Sequence, residues 1–149
     1  MTKKYELVSL EERLCFSLYV NSKEIISKYS KRLANIGMTY PQYIVFLALW
    51  DVKELSVKHI GEKLGLDSGT LTPLLMRMES NGLVSRERSD SDQRLVLVSL
   101  TPKARLLVDE VAETQAEVSC ATGLEKSEMN TLVKLLKKLR TNLSESHQI

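Results

Sequence analysis

At 149 residues the chain is long enough for one domain with a proper hydrophobic core and too short to expect two. Its 43% hydrophobic and 27% charged content is that of an ordinary soluble protein. A formal charge of +2, from 21 basic and 19 acidic residues, neither demands nor excludes a nucleic-acid partner, so any basic surface must be local.

The longest apolar run, Ile44 to Trp50, has seven residues, far short of a membrane span. Lys3 and Lys4 are followed by Glu11, Glu12 and Arg13, which interrupt any signal-peptide core, so a cytoplasmic location is expected. Cys15 and Cys120 stand near opposite ends of the chain and form neither a disulfide framework nor a zinc spacing. His59 and His147 lack ligand company and read as surface residues, so no metal and no cofactor are expected.

In chain order, Ser9 with Glu12 three residues later forms the signature of a capping box and opens a first helix reaching about Asn35. Its stripe is Cys15, Tyr19, Ile26, Tyr29 and Leu33, with Leu14, Leu18 and Ile25 beside it. Gly37 ends it, and Thr39-Tyr40-Pro41 reads as the cap and first turn of a second helix. That helix carries Tyr43, Ile44, Phe46, Leu47, Leu49 and Trp50, apolar on most sides, and belongs in the core.

Ser56 caps a third helix with Val57, Ile60 and Leu64 at helical spacing, and Gly65 stops it. Asp67 or Ser68 caps a fourth with Leu71, Leu74, Leu75 and Met78 on one face, closed by Gly82. Two helices joined by so short a glycine-containing turn match the helix-turn-helix that places a helix in DNA. Leu83 to Ser89 and Arg94 to Leu100 then flank a polar turn at Asp90-Ser91-Asp92 and read as a hairpin. A helix-turn-helix followed by a basic hairpin is a winged helix.

Thr101-Pro102 opens a fifth long helix with the stripe Ala104, Leu107, Val108, Val111, Gln115 and Val118, and Gly123 marks its end. From about Glu125 a last helix carries Met129, Leu132, Val133, Leu136, Leu139 and Leu143, and the polar tail beyond is expected to fray. The fold expected is therefore mainly α with a small β wing, a single domain over residues 1–149. The winged helix-turn-helix occupies about 40–101. Helices over about 9–36 and 102–145 have more apolar stripe than a domain this small can cover, which favours a homodimer. A two-fold dimer also suits a palindromic site in double-stranded DNA.

These residues resemble the MarR-type transcriptional regulators over essentially the whole chain, including the wing segment Asp92-Gln93-Arg94 leading to Val98-Ser99-Leu100-Thr101. Three blocks are similar to the organic-hydroperoxide-sensing branch: Leu14-Cys15-Phe16-Ser17-Leu18-Tyr19, Thr39-Tyr40-Pro41-Gln42-Tyr43 and Leu66 to Leu75. The resemblance implies that Cys15 is the peroxide sensor and that Tyr29 and Tyr40, with Tyr19 close by, hydrogen-bond its sulfur. It also implies, from Cys120, membership of the two-cysteine group, in which an intersubunit disulfide follows oxidation. The implied protein is a redox-sensing repressor and not an enzyme, holding a palindromic operator when reduced and derepressing peroxide-resistance genes.

Taken without the resemblance, a lone cysteine on a helix is ordinarily a small packed hydrophobe, and this applies to Cys120 as well as Cys15. With Ser9 as cap, Cys15 would lie in the second turn, beyond the reach of the helix dipole, so activation would fall to phenol donors. On the DNA side, Ser68, Thr70, Thr72 and Arg77 lie off the apolar stripe of the fourth helix and suit base edges and phosphates. Arg86 and Arg94 on the wing suit the minor groove, while Arg88 reads equally as a solvated charge. Two alternatives remain: a MarR-type repressor released by a small apolar ligand with structural cysteines, and a thiol peroxidase, against which stands the absence of a Cys-x-x-Cys pair.

Overall fold

The structure, a computed structural model, describes residues 8–145; His147 lies outside them. The helices, in chain order, are α1 (Leu14–Leu33), α2 (Tyr40–Trp50), α3 (Val57–Leu64), α4 (Ser68–Ser80), α5 (Pro102–Arg105), α6 (Val108–Ala121) and α7 (Lys126–Glu145). Three short strands, β1 (Leu55–Ser56), β2 (Val84–Arg88) and β3 (Val96–Leu100), form an antiparallel sheet in the order β1-β3-β2. This is the expected winged helix-turn-helix. Among the described residues no helix is long and apolar enough to cross a membrane.

The core gathers where α2, α3, α4 and the sheet meet. Phe46, Leu49, Ile60, Leu71, Leu75, Met78 and Val98 are all but inaccessible, and Leu33 from α1 and Val111 from α6 join the same cluster. The α2 helix is fixed at its start by a full capping box: the Thr39 side chain accepts from the Gln42 amide, and the Gln42 side chain accepts from the Thr39 amide. At its other end Arg105 donates to the carbonyl of Trp50, which the helix itself leaves open, and to that of Val52 just beyond it, and lies over the Trp50 ring.

Three features depart from the sequence reading. The first helix does not begin at Ser9: its N-cap is Arg13, and no side chain caps it. Instead the Arg13 amide donates to the Leu10 carbonyl and its side chain to the Val8 carbonyl, so the preceding residues close a turn. The fifth helix is divided into α5 and α6, because the Leu107 amide bonds the Ala104 carbonyl, three residues back instead of four, and Leu106 is turned out with 79% of its surface exposed. The β1 strand, only two residues long and paired with Leu97 and Val98, has too little sequence to show a strand period.

The chain divides into two compact units within α6, one ending at Gln115 and the other beginning at Ala116. The first holds the winged unit and α1. The second holds the end of α6, a turn in which the Gly123 amide bonds the Cys120 carbonyl, and α7. No residue of α7 is buried. Its apolar stripe, Leu132, Val133, Leu136 and Leu143, stands open, as do Leu14, Val20, Ile25 and Ile26 on α1.

Candidate functional site

The turn between α3 and α4 is built from local rules. The Ser56 hydroxyl accepts from the His59 amide to start α3, and its oxygen also lies 2.9 Å from Nδ1 of that histidine. Gly65 ends α3 with φ 68°, the left-handed conformation in which a side chain would be strained. Asp67, not Ser68, then caps α4: one carboxylate oxygen accepts from the Thr70 amide and the other from the Thr70 hydroxyl, both at 2.9 Å. These two bonds, hydroxyl first, hold the Asp67 carboxyl below the usual carboxylate range.

Leu71, Leu75 and Met78 anchor α4 in the core, so its outer face carries Ser68, Thr70, Thr72 and Arg77, all exposed. Pro73 and Met76 lie on that same outer face, and Met76 is 54% exposed. Their position follows from the helical period once the buried residues are known. The Arg77 side chain folds back to the Pro73 carbonyl at 3.4 Å.

The wing arginines have three different environments. Arg94 is exposed, and among the described residues only its backbone amide is engaged, by the Asp92 carboxylate at 3.0 Å. Arg88 is exposed and donates across the wing to the Gln93 carbonyl at 2.7 Å, which braces the turn. Arg86 is turned to α4 and pairs with Glu79. Strand alternation explains this, since Arg86 shares the face of buried Val84.

Cys15 lies in the first turn of α1, one turn earlier than expected, at the end of the helix dipole that favours negative charge. It is exposed, and so is Cys120 in the last turn of α6. Tyr19, one turn beyond Cys15, is 60% exposed with the Lys23 ammonium 5.2 Å from its ring centre.

Tyr29 and Tyr40 are brought together, with ring centres 5.6 Å apart, and Tyr43 completes the group at 5.0 Å from Tyr29 and 5.8 Å from Tyr40. Tyr43 is buried, and Tyr29 and Gln115 are the side chains that act on its phenol. Burial is the main cause that raises the Tyr43 phenol well above its ordinary 10.0, and it raises Tyr40 in the same way. The sequence reading placed Tyr43 among the core residues of α2; its spacing of three from Tyr40 was the signal that the two phenols share a face. Cys15 does not join this group within one chain, because fourteen helical positions separate it from Tyr29, about 21 Å along α1.

Residues 25–111 match the family described as the transcriptional regulator SarA/Rot. The chain is 43% identical, over 99% of both sequences, to the organic hydroperoxide resistance transcriptional regulator of Bacillus subtilis (strain 168). It belongs to the MarR family of transcriptional regulators. Among solved structures, reduced AbfR bound to DNA superposes with a TM-score of 0.78 at 35% identity, covering 91% of this chain and 93% of that one. The disulfide form of AbfR gives a TM-score of 0.65 at 33% identity, covering 94% and 93%. MarR-family membership accounts for the α3–α4 turn, the open face of α4 and the wing as parts of a single regulator fold.

Proposed function

We propose that this chain is a homodimeric, redox-sensing repressor that binds a palindromic operator through α4 and the wing and is released from it when an organic hydroperoxide oxidises Cys15. The observation that carries the redox part is the exposure of both cysteines on helices outside the winged unit. Free cysteine is among the most buried residue types, so two that the single chain leaves exposed are open to an oxidant or to a partner subunit. The similar AbfR chain has been solved both reduced on DNA and in a disulfide form, which supports the same reading.

In chemical terms the Cys15 thiolate attacks the peroxide oxygen and displaces an alkoxide, which takes up a proton and leaves as the alcohol. Cys15 is left as the sulfenic acid. The thiolate of Cys120 in the second subunit then attacks that sulfur, forming the disulfide and expelling the hydroxyl as water. The phenols enter from the partner as well. Two α1 helices packed antiparallel about a two-fold axis would set each Cys15 near the Tyr29, Tyr40 and Tyr43 group of the other chain, which one chain alone cannot do. The open apolar stripes of α1 and α7 are the surfaces such a dimer would cover.

On the DNA side Ser68, Thr70, Thr72 and Arg77 face the major groove, and Arg94 reaches the minor groove from the wing. A disulfide that draws the cysteine-bearing helices together would reposition the two α4 helices, so that they no longer match successive major grooves. The test is operator binding with and without an organic hydroperoxide, on wild type, Cys15→Ser and Cys120→Ser, with a non-reducing gel on the same samples. Release of wild type, no release of Cys15→Ser and a dimer-sized band needing both cysteines are expected. Peroxide release of Cys15→Ser would overturn the sensing role.

A further inference from the structure

Glu79, near the end of α4, and Arg86, in the middle of β2, are joined by two contacts to one carboxylate oxygen. The Arg86 Nε donates to Glu79 Oε2 at 2.8 Å, and a terminal guanidinium nitrogen reaches the same oxygen at 2.8 Å. The pair spans the link at residues 81–83, which is already tightly bonded. The Leu83 amide returns to the Met78 carbonyl at 2.8 Å, and the Thr101 hydroxyl donates to the Gly82 carbonyl at 2.6 Å. On the strand, Arg86 stands opposite the fully buried Val98, so its backbone is held by the sheet.

We infer that Arg86 is a positioning residue for DNA binding: through Glu79 it locks the wing to the recognition helix α4, so that both meet the duplex in one fixed geometry. It is not itself a DNA cation. Its guanidinium is committed to a carboxylate that neutralises it, whereas Arg94 leaves its side chain open at the tip of the wing. The two side chains are 25% and 39% exposed, a surface setting in which an ion pair adds little to global stability. Loss of the pair therefore reads as a loss of alignment and leaves the fold in place. This inference rests on the DNA-binding reading above.

The experiment uses the full-length protein and a duplex enriched by wild type from a randomised pool. If wild type enriches no duplex, the DNA-binding reading fails, before any variant is made. Given a duplex, Glu79→Gln and Arg86→Gln should each weaken binding by about 3- to 10-fold, a range set by coupling within one network. Neither should change the dependence of affinity on salt, because no phosphate contact has been removed. The double variant Glu79→Arg with Arg86→Glu should return affinity to within about twofold of wild type. Three results would overturn the inference: unchanged affinity of Glu79→Gln, a salt slope reduced by about 1 in Arg86→Gln, or a charge-swapped variant no better than the weaker single one. Thermal unfolding of each variant completes the set, since a collapse of either single variant would show that the pair carries stability and not placement.

Discussion

Gly61 offers the sharpest test of how α3 and α4 are held. It lies inside α3, where alanine is ordinarily the better residue by about 1 kcal/mol. A methyl group at this position would stand 2.8 Å from the Leu66 carbonyl oxygen and 3.6 Å from a Leu71 methyl. The second contact is ordinary, but the first involves backbone that cannot turn aside. That backbone is also held from the other direction, since the Leu66 amide donates to the Gly61 carbonyl at 3.0 Å. Gly61→Ala must therefore push the turn outward by about half an ångström or more, and forced shifts of this kind cost about 1–3 kcal/mol. Set against the helix gain, the net loss is about 0–2 kcal/mol, or up to about 8 °C in Tm at roughly 2–4 °C per kcal/mol. Binding should suffer as well as stability, because Leu66 leads directly into the Asp67 cap and so into the start of α4. The expected loss of operator affinity is about tenfold, near 1.4 kcal/mol. Thermal unfolding and a DNA titration on the same samples give both numbers. A variant with a higher Tm and unchanged affinity would show that the turn yields freely and that close approach is not why glycine stands there.

Thr39→Ala removes half of the α2 capping box and should cost about 1 kcal/mol, measured by urea unfolding against wild type. Arg94→Gln should lower the salt slope of DNA binding by about 1, as expected for a cation at the phosphate backbone or minor groove; an unchanged slope would remove Arg94 from the contact set. Tyr43 gives a pH signature. Its phenol is held above the ordinary 10.0, so the folded chain keeps a proton that the unfolded chain releases. The stabilisation it contributes is complete below about pH 10 and is lost as pH rises toward the folded-state value. Tyr43→Phe should flatten that alkaline decline, and a decline of wild-type steepness in the variant would assign it to other groups.

The sequence by itself determined the local elements whose signals lie within a turn of one another. The Thr39 cap, a cap at Asp67 or Ser68, the Gly65 stop, the Leu71-Leu75-Met78 stripe and the polar turn at Asp90-Ser91-Asp92 are all short-range patterns, and each appears in the fold where the pattern put it, with Asp67 as the cap. The residue blocks around Cys15, Tyr40 and Asp67 likewise pointed to the MarR family. Tertiary structure decided what depends on the choice among competing partners. Ser9 and Glu12 have the types and spacing of a capping box, yet Arg13 finds carbonyl acceptors in the preceding residues, and α1 starts later, with Cys15 in its first turn. Arg86 and Arg94 look alike in sequence, and only the packing of β2 against α4 commits one to Glu79 and leaves the other open. Tyr43 was readable as a core residue, but its place beside Tyr29 and Tyr40 needed α1 and α2 to be laid together. A residue's own neighbours in the chain set its backbone, whereas the destination of a long polar side chain is set by whatever the fold brings within reach.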